Sequence, residues 1–186
     1  MSKVFIISAG PGSGELMTIQ AKKIIDSLEY AVASSRLAHL CRCETVSPSP
    51  VVSGTIESLK KRGDKRTGVI VSGDAGFHSL ASAVIKELGR DNVEIIPGIS
   101  VVQYAFAKLI SLHKEFKTAD TADSDKFLIL AGSAPVKNIV SMIDTDHQIY
   151  VLENLSLENE KIVRIENPED IQKLSEGLSC VIGIRR

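Results

Sequence analysis

The sequence predicts an α/β protein of two lobes, with a mainly parallel sheet in the first and a mixed sheet in the second. Three observations carry this. Short continuous apolar runs alternate with stretches of helical period, the pattern of strands and helices wound around a parallel sheet. Three of those runs are closed by glycine-containing turns: Gly10-Pro11-Gly12, Ser72-Gly73-Asp74-Ala75-Gly76 and Pro97-Gly98. The periodicity then fails between about residues 112 and 126, where Lys117 to Asp125 is polar and aperiodic. That stretch reads as a linker between lobes spanning 1–112 and 120–186.

Taken in order, Val4-Phe5-Ile6-Ile7 is a strand buried on both faces. Met17, Ala21, Ile24, Ile25 and Leu28 fall on one helical face, with Thr18 as its cap. Tyr30 to Ala33 reads as a strand, Ser35 to Leu40 as a short helix and Thr45-Val46 as a brief strand. Ile56 and Leu59 sit on a helix closed by Lys60-Lys61-Arg62-Gly63, since cations and then glycine are a common helix stop. Gly68 to Val71 is a strand. Phe77, Leu80, Ala81, Val84, Ile85 and Leu88 form a helical stripe stopped by Gly89. Val93 to Ile96 is a strand, and Val101, Val102, Ala105, Phe106 and Leu109 mark a helix. Beyond the polar stretch come a strand at Phe127 to Leu130, a helix through Val136, Ile139, Val140 and Ile143, and a strand from Ile149 to Leu152. Two further strands, Lys161 to Ile165 and Cys180 to Ile184, flank a short helix from Pro168 to Leu174.

Composition narrows the function classes. The 186 residues can bury a sizeable core, and 44% apolar with 24% charged residues is ordinary for a globular chain. A formal net charge of -1 gives no basic surface for nucleic acid. No apolar run approaches the ~18 residues of a membrane span, and the N-terminal run is too short for a signal peptide. Cys41, Cys43 and Cys180 are an odd count in a chain of this size, which fits reduced thiols in the cytoplasm.

The turns are where chemistry is expected, because ligands bind at the carboxyl ends of parallel strands. Ala9 to Glu15 allows a close backbone approach and opens onto a helix N-terminus; it also serves as a plain strand-to-helix turn. A dinucleotide fingerprint is not supported. The glycines are spaced G-x-G-x-G, and the second strand ends in Ala33-Ser34-Ser35 with no acid for a ribose. Asp74 reads either as a ligand acceptor or as the cap of a helix beginning near Gly76. Ser100 is placed to cap the helix that follows it. His39, Cys41 and Cys43 alternate but lack a fourth ligand, so no metal site is expected. Lys60 to Arg66 reads as a solvated helix end, and His78 and His147 as surface or satisfied core histidines.

These turns also carry a resemblance. Gly10-Pro11-Gly12-Ser13-Gly14-Glu15-Leu16-Met17-Thr18 resembles the "GPG(D/S)PELLT" opening of the tetrapyrrole (corrin/porphyrin) methylases, and Ser72-Gly73-Asp74-Ala75-Gly76-Phe77 their "SGDPGF". Pro97-Gly98-Ile99-Ser100-Val101-Val102-Gln103 is similar to "PGISSVQ" of one branch. Glu153-Asn154-Leu155, followed by Glu160-Lys161-Ile162, is similar to "GENLxxPxExI" of the same branch, the precorrin-6Y methylases or cobalt-precorrin-7 C(5)-methyltransferases. Gly14 and Ala75 stand where the family usually has proline. Ser111-Leu112-His113 falls sooner after its helix than the family's "SLHG", with Lys114 for the glycine.

The resemblance implies the two-lobed tetrapyrrole methylase fold, with S-adenosylmethionine in the cleft between the lobes and S-adenosylhomocysteine as product. It implies methyl transfer to carbon 5 of a cobalt-precorrin in cobalamin biosynthesis. The alternatives are another methyltransferase of the superfamily or a non-catalytic cofactor-binding homologue. Gly10, Pro11 and Gly12 would border the substrate trough and the cofactor's edge. Ser72, Gly73, Asp74, Ala75, Gly76, Phe77, Ser100 and Val101 would border the cofactor, with Asp74 the one candidate for a catalytic polar role. Arg36 and Lys22 are candidates to meet substrate carboxylates. A homodimer is expected. Since the sequence stops at Arg186, a separate C(15)-methyltransferase/decarboxylase is expected to act in the same pathway.

Overall fold

A computed structural model describes residues 3–49, 51–110, 117–118, 125–131, 134–143, 146–175 and 177–186. The chain divides into two compact units, Met1–Val101 and Val102–Arg186.

The first unit is a parallel sheet. Its strands are β1 (Val4–Ser8), β2 (Tyr30–Ala33), β3 (Glu44–Val46), β4 (Thr67–Val71) and β5 (Val93–Ile96), in the order β3-β2-β4-β1-β5. Between them run α1 (Ile19–Ile25), α2 (Val51–Lys60) and α3 (Ala81–Leu88). The unbroken apolar run of β1 follows from helices on both faces of the sheet. Phe5 and Ile7 join Ala21 and Ile25 of α1 in one core, while Val4 and Ile6 join Leu59 of α2 and Val84 of α3 in the other. Thr18 caps α1 as expected, its Oγ1 accepting the Ala21 N–H at 3.1 Å.

The helices are shorter than the apolar period implies. Met17 follows a 3-10 turn at Gly14–Leu16, and α1 stops at Ile25, where Asp26 caps it. Ser35 to Leu40 is a bend ending in a 3-10 turn, Ala38–Leu40. Phe77 and Leu80 precede α3 rather than belonging to it. The chain between Asp74 and Ser79 is held in tight turns by its own side chains, and Ser79 Oγ accepts the Ala81 N–H that opens the helix. The expected cap of a helix near Gly76 is therefore corrected: no helix starts there.

In the second unit, α4 (Val101–Lys108) has all but its first residue. There follow β6 (Lys117–Thr118), β7 (Lys126–Leu130), α5 (Val136–Ser141), β8 (His147–Glu153), β9 (Lys161–Ile165) and β10 (Ser179–Arg185). The sheet order is β6-β7-β10-β8-β9, antiparallel except for the β6–β7 pair, so it is mixed. The polar stretch read as a linker thus contributes a two-residue strand; its remainder up to Ser124, with His113, lies outside the described residues. Pro168–Lys173 is a 3-10 segment with a capping box between Asn167 and Asp170. Lys173, with the Glu166 and Asn167 N–H groups, holds the Asp170 carboxyl down at about 2.

Gly183 lies opposite Phe127 in the β10–β7 ladder, and a Cβ there would run into the fully buried Phe127 ring. Gly183→Ala is expected to destabilise the protein by about 1–3 kcal/mol through overpacking. Gly14→Ala, at a position with nothing within 4 Å of the added methyl, should stay within ~0.5 kcal/mol. Urea unfolding of the two variants checks the contrast; equal midpoints would contradict it.

Candidate functional site at the carboxyl edge of the parallel sheet

Strands β4, β1 and β5 are neighbours and parallel, so the turns that follow them leave the sheet side by side at its carboxyl edge. The three glycine-containing turns are therefore brought together. They are also bonded to one another. Gly10 and Gly73 form a reciprocal bridge, Gly73 N–H donating to Gly10 O at 2.7 Å and Gly10 N–H to Gly73 O at 3.2 Å. Both glycines have positive φ, +75° and +69°, which L side chains rarely adopt. At Gly10 there is also no space, for an added Cβ would lie 2.6 Å from Leu16 O.

Asp74 ties two of the turns. Its Oδ1 accepts the Gly76 N–H at 2.8 Å and its Oδ2 the Gly98 N–H at 3.0 Å, so one carboxylate stitches the turn after β4 to the turn after β5. Gly76 sits so close that a Cβ would lie 2.9 Å from Asp74 Oδ1. Gly98 is more constrained, since a Cβ there would meet Ser8 Cβ at 2.5 Å and Gly73 O at 3.2 Å. Ser8 itself is fully buried at the end of β1, and its Oγ accepts the Ala75 N–H at 2.8 Å. Sequence reasoning passed over Ser8; the available signal was a polar residue ending a buried apolar strand just before the first turn. Thr18 adds a further link, its hydroxyl donating to Pro97 O at 3.4 Å.

Along this edge Gly10 and Ala75 are buried. Pro11, Gly12, Gly73, Asp74, Phe77, Ser100 and Val101 are half-buried, and Ser72 and Gly76 are exposed. A Cβ added to Gly73 would face only the Ser100–Val101 backbone, at 3.9 Å. The edge thus offers mostly backbone, held rigid by a carboxylate, a serine and positive-φ glycines. Such a surface suits a ligand recognised by shape and backbone hydrogen bonds, and S-adenosylmethionine is compatible with it.

The remaining candidates separate. Lys22 is engaged by Asp26, at 2.7 and 2.9 Å to the two carboxylate oxygens. His39 lies in the 3-10 turn while Cys41 follows it extended, so the alternation with Cys41 and Cys43 is broken. Burial first, and then Cys43, pushes the Cys41 thiol up. Among the described residues no three His, Cys, Asp or Glu side chains are grouped to hold a metal ion. His147 is buried edge-on to Phe127, and His78 is exposed beside Phe77. In the second unit, Glu153 is 1% exposed at the end of β8; its Oε1 accepts the Ser175 N–H at 2.7 Å, while Oε2 has no hydrogen-bond partner among the described residues.

Comparison with known proteins gives a family and a fold. The model of the family described as Tetrapyrrole (Corrin/Porphyrin) Methylases matches residues 3–169. The chain is similar to a probable cobalt-precorrin-7 C(5)-methyltransferase of Methanocaldococcus jannaschii, 29% identical over 86% of this chain and 87% of that one. It is 27% identical to the cobalt-precorrin-7 C(5)-methyltransferase of Salmonella typhimurium, over 84% of this chain and 87% of the relative. Among solved structures, the precorrin-6Y methylase of Archaeoglobus fulgidus aligns with a TM-score of 0.76 at 22% identity, over 99% of this chain and 98% of that chain. A uroporphyrin-III C-methyl transferase from Thermus thermophilus, complexed with S-adenosylhomocysteine, aligns with a TM-score of 0.75 at 16% identity, over 98% and 97%. The last two likenesses show the fold.

The Asp74 stitch is directly testable. Asp74→Ala leaves the Gly76 and Gly98 N–H groups without their acceptor and is expected to lower stability by about 1–3 kcal/mol. Asp74→Asn keeps one acceptor oxygen and should lose less. Chemical denaturation followed by circular dichroism measures both. Unchanged midpoints in the two variants would mean that the carboxylate does not hold the turns.

Proposed function

From the fact that the chain belongs to the tetrapyrrole (corrin/porphyrin) methylase family, we propose that it is an S-adenosylmethionine-dependent C-methyltransferase acting on carbon 5 of a cobalt-precorrin in cobalamin biosynthesis. The observation that carries this reading is the similarity, over most of both chains, to two relatives named for that reaction. The carboxyl edge supports it, since the stitched turns contain the motifs through which the sequence resembles the family. A homodimer belongs to the same reading and is checked by light scattering.

When bound, the cofactor supplies a sulfonium methyl group, which leaves its sulfur without prior activation. The task left to the protein is placement. Holding donor and carbon acceptor in line contributes on the order of 7–11 kcal/mol of barrier lowering. In this reading the fixed Gly73 and Gly98 backbones and the half-buried Ser100 and Val101 border the donor, and Asp74 keeps their spacing. Asp74 acts through the turns it joins and is a positioning residue.

Titration calorimetry on the pure protein should show S-adenosylmethionine and S-adenosylhomocysteine binding in the micromolar range, about -8 kcal/mol. Incubation with cobalt-precorrin-7 should then give a product heavier by one methyl group. No binding at millimolar ligand would refute the cofactor assignment. Binding with methylation only of a different precursor would keep the class of reaction and reject carbon 5.

A further inference from the structure

Methyl transfer to carbon has a second half that placement alone does not complete. The ring carbon forms its C–CH3 bond with an electron pair of the macrocycle, and the pair of the S–CH3 bond stays on sulfur. The methylated ring then carries one positive charge too many, until a C–H bond gives up its proton and returns its pair to the ring. A base has to take that proton. Asp74 is engaged elsewhere, since its Oδ1 accepts the Gly76 N–H and its Oδ2 the Gly98 N–H. Glu15 stands exposed in the 3-10 turn after β1 and faces no cavity wall described below.

At the carboxyl ends of β2 and β4, which are neighbours in the sheet, a cavity of about 380 Å³ opens within the first unit. It is large enough to admit the edge of a bigger ligand. Its floor is apolar, with Val32, Val69 and Val71, and its walls carry serines, Arg36 and, from the turn after β4, His78. Among the described residues no aspartate, glutamate, lysine, tyrosine or cysteine lines it. That leaves one lining side chain able to take up a proton at neutral pH, because a guanidinium already holds its proton and a hydroxyl is too weak a base. His78 is also held in place. Its backbone sits at φ +48°, a strain that non-glycine residues seldom carry and that gathers at functional sites. Next to it the Ser79 hydroxyl donates to Ala75 O and accepts the Ala81 N–H, which fixes the chain on that side. The imidazole stands edge-on to the Phe77 ring, with centroids 4.7 Å apart and planes at 90°. It is exposed, and no hydrogen bond occupies its nitrogens among the described residues. His39 and His147 do not line the cavity, and His147 is buried.

We infer that His78 is the base of the methyl transfer, its imidazole taking the proton that the methylated ring gives up. The inference rests on the reading of the protein as a tetrapyrrole C-methyltransferase and deepens it, because it names the residue that completes the reaction. Neutral imidazole offers a lone pair on one ring nitrogen, becomes imidazolium on accepting the proton, and passes it to water from its exposed position. Asp74 then holds the turn in which His78 stands, and His78 is the catalytic residue.

The test has two readouts. The first needs no turnover: diethyl pyrocarbonate, which acylates accessible imidazoles, is applied with and without cobalt-precorrin-7 in the absence of S-adenosylmethionine, and each histidine is followed by peptide mass spectrometry. The substrate should protect His78 and leave the exposed His39 reactive. The second is single-turnover methylation of cobalt-precorrin-7 by wild type, His78→Asn and His78→Gly, both replacements being residues that tolerate positive φ. Each variant should methylate about 10²–10⁴-fold more slowly, the usual contribution of a general base. Substrate affinity, S-adenosylmethionine affinity and the unfolding midpoint should stay at wild-type values. Added imidazole should restore part of the rate of His78→Gly, and more basic substituted imidazoles of similar size should restore more. A purely structural role would give no such rescue. Variants that methylate at the wild-type rate overturn the inference while the methyltransferase reading stands. So do an unprotected His78, a slow His78→Gly that imidazole does not rescue, and a loss confined to substrate binding. If wild type binds S-adenosylmethionine but methylates no precorrin, the methyltransferase reading falls and the role of His78 falls with it.

Discussion

The constraint on which the carboxyl edge depends is the pairing of backbone groups where three neighbouring strands end. A buried N–H without an acceptor is destabilising by about as much as a lost hydrogen bond, and turns packed side by side have few carbonyls to spare. Here the solution is cooperative. Gly10 and Gly73 pair with each other, Ser8 supplies the acceptor for Ala75, and Asp74 reaches past β1 to the N–H of Gly98. Each bond requires the others' geometry. Asp74 reaches Gly98 only because β5 lies beside β1, and Gly98 approaches only because it has no side chain to strike Ser8. The glycines of this edge are thus not interchangeable sources of flexibility. Gly10 and Gly73 are required by φ, and Gly98 by contact.

Much of this was legible in the sequence, and the limits have physical causes. The strand Tyr30 to Ala33, together with Val93 to Ile96 and Lys161 to Ile165, was read to the residue, because an apolar run bounded by turn residues leaves little freedom. Thr18 was identified as a cap because capping is local. The role of Asp74 was not legible. A sequence shows what lies two residues away, hence the turn at Gly76, but not that a glycine 24 positions on is adjacent in space. Phe77 and Leu80 carried the helical period without being helical, because the turn before α3, and not a helix face, half-buries them. Periodicity reports burial, and here burial and helix part company.

The second unit shows the same division. Its antiparallel register, with Cys180 opposite Leu152 and Leu130, protects the cysteine so fully that burial pushes its thiol up to about 12. A lone buried cysteine in such a place behaves as a small hydrophobic residue. The loop after β8 is different. Asn154 and Ser156 both adopt positive φ, +51° and +67°, and Gly177 is so close to Asn154 that a Cβ would fall 2.8 Å from its Oδ1. The sequence marked this segment only through its resemblance. The strain and the uncommitted Glu153 oxygen beside it emerge only when the chain is folded.

Where the polar groups are committed says what kind of chemistry the first unit supports. At the carboxyl edge the carboxylate of Asp74 and the hydroxyl of the buried Ser8 are both engaged with backbone N–H groups. That arrangement is poor for acyl or phosphoryl transfer, where the protein must activate an attacking group or stabilise growing charge. It is sufficient for a transfer in which the donor already carries a good leaving group, because there orientation is the main contribution left to make. An edge built from backbone can hold a donor, but it discriminates poorly among acceptors that share a ring and differ in their arms. Discrimination then has to come from side chains beyond the stitched turns, and charge is the property by which carboxylate arms are most readily told from the ring.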